Sequence, residues 1–231
     1  WALDRMAFDH RSFRYAMLTL ARLSLMETEE YIANNTTGLF IDRFPILLPG
    51  TEVNLMSRIS ILEELSTDTR YRELIKKSLH RALGMGHFHR SGGAEKQGLK
   101  VLKDYNPTYK EVIDYFNTSL DMLLRFENNQ QEIDAISRIF SDNACSYYLQ
   151  GLDEFLIRGL KEVAPMRNFI WEEMNDALAF VIKYSAPKRN NYRVDEFNAW
   201  RTKLTRDDYV YRLLNAAKEI NRNYTNSFEQ T

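Results

Sequence analysis

The chain has 231 residues, 44% hydrophobic and 27% charged, with a formal net charge of −1 and a sequence pI near 6.5. No run approaches the roughly 18 apolar residues a membrane span needs, which excludes a transmembrane helix. The single cysteine, Cys145, excludes an internal disulfide and a cysteine-rich zinc site. With nine Gly and five Pro the chain has little turn punctuation, so long elements are expected, in one domain over 1–231 or divided near 104–106 into 1–104 and 105–231.

From residue 2 to about residue 33, Leu3, Met6, His10, Phe13, Met17, Leu20 and Ser24 step by three and four, which predicts one helix with His10 on its apolar face. Residues 34–52 follow as an irregular extended crossover, because Pro45 and Pro49 interrupt the apolar run Leu39 to Leu48. A helix is predicted from about Val53 to Leu65, and Ser66-Thr67-Asp68 cap a second over Thr69 to Leu83, on which Arg70, Lys77 and Arg81 share a face.

That helix runs into a glycine-rich loop, about 84–98. The stretch 79–98 holds five of the nine glycines and three of the four histidines, His80, His87 and His89. Nine Lys/Arg stand against Glu73 and Glu95 in the window 70–103, a charge of +7, and 183–222 carries +5, so the remainder carries −13. Charge segregated in this way sets up local fields that the near-zero total hides. A short helix over 93–103 would project Lys96, Lys100 and Lys103 from one side.

Asn106-Pro107 starts the next helix, with Tyr109, Val112, Phe116, Leu120 and Leu123 as its stripe. Ile133, Ile136, Phe140, Ala144, Tyr147, Gly151 and Phe155 continue the period toward Val163, as one long helix or two broken near Gly151. Pro165 opens a further helix through Tyr184, 186–191 is a loop, a helix starts near Arg193, and Thr205 to Asp208 cap a last one over 210–224. The expected fold is all-α, an antiparallel bundle of about seven to eight helices.

Several chemistries can be set against these residues. His87-x-His89 with His80 offers metal ligands, but no motif fixes a completing carboxylate, so no metal and no cofactor is expected. Gly84-x-Gly86 and Gly92-Gly93 allow close backbone approach to an anion beside Arg81, Arg90 and Lys96, without the lysine of a P-loop. Aromatics interleave the basic residues of 184–212, as in surfaces that stack bases while cations follow phosphates.

The Arg81-x5-His87 and Arg5-x4-His10 spacings resemble the Arg/His motif of HEPN-type ribonucleases. That resemblance implies a helical bundle in which Arg81 holds phosphate and His87 moves protons in metal-independent RNA cleavage. Ala82 and Met6 stand where that family usually places a polar residue.

The function expected from the sequence is non-enzymatic: a structural or adaptor protein that meets an acidic partner surface or a nucleic-acid backbone through its basic glycine-rich loop. Arg81, His87, His89, Arg90, Lys96 and Lys100 would be the anion contacts, and catalysis by Arg81 and His87 is the alternative. A protein partner, self-association or an RNA or DNA backbone is expected rather than a membrane, in an intracellular, soluble and cytoplasmic setting.

Overall fold

The first 28 residues do not form the single helix that their apolar spacing predicts. In the computed structural model, which describes residues 2–28, 35–85, 103–126, 130–166 and 171–204, they form α1 (Ala2–Met6) and α2 (Phe13–Ser24) with a turn between them. Asp9 makes that turn, its backbone carbonyl accepting from Ser12 and Phe13 and its carboxylate from the Arg11 N–H. His10 therefore leaves the apolar face, and its side chain is 64% exposed.

The crossover is also helical at its start. Asn35 caps α3 (Thr36–Ile41) by accepting from the Gly38 N–H at 2.6 Å, and Glu27 holds Thr36 and Thr37 from the preceding segment. Irregular chain runs from Asp42 to Asn54, with left-handed backbone at Leu48 (φ 50°) and Gly50 (φ 62°). Buried carbonyls in such a stretch need donors, and side chains supply them. Arg58, on α4 (Leu55–Leu65), donates to Val53 at 2.8 Å, Pro45 at 3.0 Å and Arg43 at 3.4 Å. Arg43 donates to Pro49, and the Tyr115 hydroxyl to Phe44.

Asp68 caps a short 3-10 turn, Thr69–Tyr71, before α5 (Arg72–Leu83). The start of α6 (Tyr109–Leu124) differs from the predicted Asn106-Pro107 signal by two residues. Thr108 caps it instead, because Glu111 three residues on closes a reciprocal capping box. The break at Gly151 is real, with α7 (Gln130–Leu149) and α8 (Asp153–Val163) on either side of it. Gly151 sits at φ 80°, a conformation a side chain disfavours, and its carbonyl accepts from the Tyr109 hydroxyl.

Pro165 lies in the turn that closes α8 rather than opening a helix; among the described residues the next one is α9 (Trp171–Phe180). The predicted loop at 186–191 opens as a 3-10 turn (Ala186–Arg189), reached from α9 through a π turn (Val181–Ser185), since Pro187 has no N–H to carry an α ladder onward. Asn190, Asn191 and Arg193 then take left-handed backbone (φ 53°, 56° and 57°) before α10 (Val194–Leu204). The predicted helix over 210–224 and nearly all of the short one over 93–103 lie outside the described residues.

The described residues thus form an all-α bundle of ten α-helices, without a strand among them. Its centre is aromatic. Phe116 of α6, Phe140 and Tyr147 of α7 and Phe155 of α8 meet with ring centroids 5.1–5.7 Å apart along the Phe116–Phe155, Phe140–Phe155, Tyr147–Phe155 and Phe116–Tyr147 pairs. Gly159 makes the cluster possible: a Cβ there would fall 2.0 Å from the Phe140 ring. The Tyr147 hydroxyl donates to the Leu83 carbonyl at 2.5 Å and ties the end of α5 to this core.

Candidate functional site

On α5 the residues Leu74, Ile75, Ser78, Leu79, Ala82 and Leu83 are buried, which leaves Arg72, Lys76 and His80 on another edge, one turn apart. Those three, with Glu73 and Lys77, form one wall of a cleft of about 690 Å³. Leu123 and Phe126 at the end of α6 and Glu132, Ala135 and Ile136 at the start of α7 complete it.

The cations are held in fixed places. Arg72 donates to the Phe126 carbonyl at 2.6 Å and lies over the Phe126 ring, 5.7 Å from its centroid. Glu132, 9% exposed, accepts from Lys76 at 2.8 Å and from Arg72 at 3.4 Å. Lys76 also meets Glu73 at 2.6 Å. Burial works against the Lys76 charge, but the bonds to Glu132 and Glu73 outweigh it and raise the pKa above the ordinary lysine value.

His80 behaves in the opposite way. Burial, assisted by the Lys76 charge and opposed by Glu73, lowers its pKa and so favours the neutral imidazole. Lys77 is exposed and makes no ion pair among the described residues. Among the described residues the cleft therefore presents the exposed Lys77 ammonium, two cations bridged by a buried carboxylate, an imidazole with a lowered pKa and an apolar floor.

Of the expected anion contacts, Arg81 is described. It does not line the cleft; its Nη2 lies 3.6 Å from Asp42, whose carboxyl is pushed up by burial against the pull of Arg81 and Arg43. His87, His89, Arg90, Lys96 and Lys100 lie outside the described residues, as does the glycine-rich loop beyond Met85. Arg70 leaves the expected face, since it belongs to the 3-10 turn and pairs with Asp68; Lys77 and Arg81 stand one turn apart on α5, Lys77 lining the cleft and Arg81 meeting Asp42. Arg72, Lys76 and Glu132 join the cleft without being among the expected site residues, and His80, a candidate metal ligand by sequence, lines it as well. The four-residue repeat of Arg72, Lys76 and His80 was the available signal.

One group among the described residues could hold a metal ion: Asp9, His10 and Glu52. His10 Nδ1 lies 2.7 Å from Glu52 Oε1, and the two Asp9 oxygens accept from Arg11 at 2.7 and 3.0 Å, so hydrogen bonds already use these donors. Arg5 lies on α1 and His10 beyond the end of α1, so no single helix sets their spacing. Comparison of the chain with protein-family models, with curated proteins and with solved structures finds no match.

Proposed function

We propose that this protein works by association, receiving an acidic segment of a protein partner in the α5 cleft. The observation that carries this reading is the cleft's mixed wall: Arg72, Lys76 and Lys77 beside Leu123, Phe126 and Ile136. A carboxylate from the partner meets Lys77 and the edge of the Arg72–Lys76–Glu132 network, while an apolar neighbour settles on Phe126. Glu73 and Glu132 reduce the local excess of positive charge, which suits a discrete carboxylate better than a run of phosphates. The acidic surface can belong to another protein or to a second copy of this chain, most of whose length outside its two basic windows is net negative.

The test uses a labelled amphipathic peptide rich in Glu and Leu, read by fluorescence anisotropy, with light scattering on the protein alone. Salt-sensitive peptide binding, weakened about tenfold (~1.4 kcal/mol) by Lys77→Glu, is expected. Concentration-dependent growth in mass that Lys77→Glu abolishes would identify the second copy as the partner. Peptide binding indifferent to Lys77→Glu, or no association in either assay, would defeat the reading.

A further inference from the structure

The end of α9 and the turns that follow it make one of the stretches of this chain that carry cations and no acid. From Ala177 to Arg193 it carries Lys183, Lys188, Arg189 and Arg193 and not one Asp or Glu. Two of these cations are engaged internally, with Arg189 Nη1 2.9 Å and Arg193 Nε 3.1 Å from the buried carboxylate of Asp153. Lys183 and Lys188 are exposed and make no ion pair among the described residues.

Three rings lie within the same stretch: Phe180 is 53% exposed, and Tyr184 and Tyr192 are each 48% exposed. The Phe180 and Tyr184 rings lie 4.5 Å apart by centroid, with the Lys183 ammonium 4.9 Å from the Tyr184 ring. Tyr192 has the guanidinium groups of Arg189 and Arg193 at 5.2 and 5.4 Å from its centroid. Single exposed rings are ordinary on a protein surface. Three of them, with two ammonium groups that make no ion pair among the described residues, give the segment 180–192 a definite chemistry, bounded at the Tyr192 end by Glu154 and Glu196, which meet Arg193.

The backbone explains why the rings stay outside. Val181, Ser185 and Ala186 take the buried places of the π and 3-10 turns, which leaves Phe180 and Tyr184 facing solvent. The left-handed residues Asn190, Asn191 and Arg193 fix the following turn, and Asp153 anchors it through both arginines. Such a surface is set before any ligand arrives, which lowers the ordering cost of binding.

We propose that this surface binds single-stranded nucleic acid, with unpaired bases stacking on Phe180, Tyr184 and Tyr192 and phosphates meeting Lys183 and Lys188. Rings about half exposed to solvent select unpaired bases, because in a duplex the base faces are covered by their neighbours. The two lysines select a phosphodiester chain, since the segment 177–193 itself carries no carboxylate and the neighbouring Glu154 and Glu196 are engaged by Arg193. The nearest acidic residues in sequence, Asp176 and Asp195, flank the segment. None of this depends on the α5 cleft.

The experiment measures anisotropy of labelled oligouridylate, oligothymidylate and a duplex of the same length, at low and moderate salt. Both single strands should bind more tightly than the duplex, and their relative affinity reports whether the strand is RNA or DNA. The pair Phe180→Leu/Tyr184→Leu keeps apolar volume but removes the rings, and should weaken single-strand binding by about tenfold at both salts. The pair Lys183→Gln/Lys188→Gln should make the log–log salt dependence shallower by about 1.4, roughly 0.7 for each lost phosphate contact on a single strand. Circular dichroism checks the fold; should the leucine pair lose helicity, Tyr192→Leu and the lysine pair decide.

Failure of both single strands to bind, a preference for duplex, or unchanged affinity in a folded leucine pair would overturn the proposal. So would loss of strand binding on Lys77→Glu with the aromatic variants unaffected, since that places the strand in the cleft. Acidic-peptide binding is measured on the same preparations, so failure of the cleft reading is distinguishable from failure here.

Discussion

Arg58 is a guanidinium with no exposure to solvent, and burial pulls its pKa down to about 10. At neutral pH it stays charged and gives its protons to the carbonyls of Val53, Pro45 and Arg43, with Tyr105 5.9 Å away across its face. Removing it leaves those carbonyls without donors. Arg58→Ala should therefore lose roughly 3 kcal/mol in urea unfolding, the cost of leaving more than one buried acceptor unsatisfied. His80 poses a different test. Its folded pKa lies below the ordinary value near 6.5, so the unfolded chain takes up the proton first as pH falls. The stability it contributes is complete above about pH 6.5 and declines below that, through the lowered folded value. Urea titrations at a series of pH values should show this decline in the wild type and a shallower one in His80→Gln. A carboxylate bound beside His80 favours the imidazolium, so acidic-peptide affinity should rise as pH drops toward 6.

Among the elements, the Thr108–Glu111 capping box and Gly159 carry the clearest predictions. Thr108→Ala should cost about 1 kcal/mol by removing one half of the box. Gly159→Ala should cost about 1–3 kcal/mol, since Phe140 must leave its place against Phe155 and Tyr147. Thermal unfolding followed by circular dichroism measures both. The stripe from Tyr109 to Leu123 and the break at Gly151 were legible in the sequence, because apolar period and glycine punctuation are local signals. The separation of α1 from α2 was not, since His10 occupies an apolar position in the period and the turn depends on what Asp9 accepts. α3 stood hidden before two prolines that begin only after it ends. The cleft was illegible for another reason: its buried counter-charge, Glu132, lies 56 residues from Lys76, and no local pattern brings the two together.

For the molecule as a whole, the described residues of the two basic charge windows fall in distinct places in the fold. The first contributes Arg72, Lys76, Lys77 and His80 to the α5 cleft and Arg81 to a link with Asp42. The second contributes Lys183 and Lys188 to the surface after α9, while Arg189 and Arg193 hold the buried Asp153. Light scattering across a salt series should therefore show any cleft-mediated association weakening as ionic strength rises. Because α7 holds Glu132 at one end and Tyr148, the neighbour of Arg189, at the other, one rod joins both regions. Sixteen residues of α-helix rise about 24 Å. A guest at each end would be kept apart by an inflexible spacer, so the molecule could act as a coupler of fixed length, with no hinge needed between its two grips.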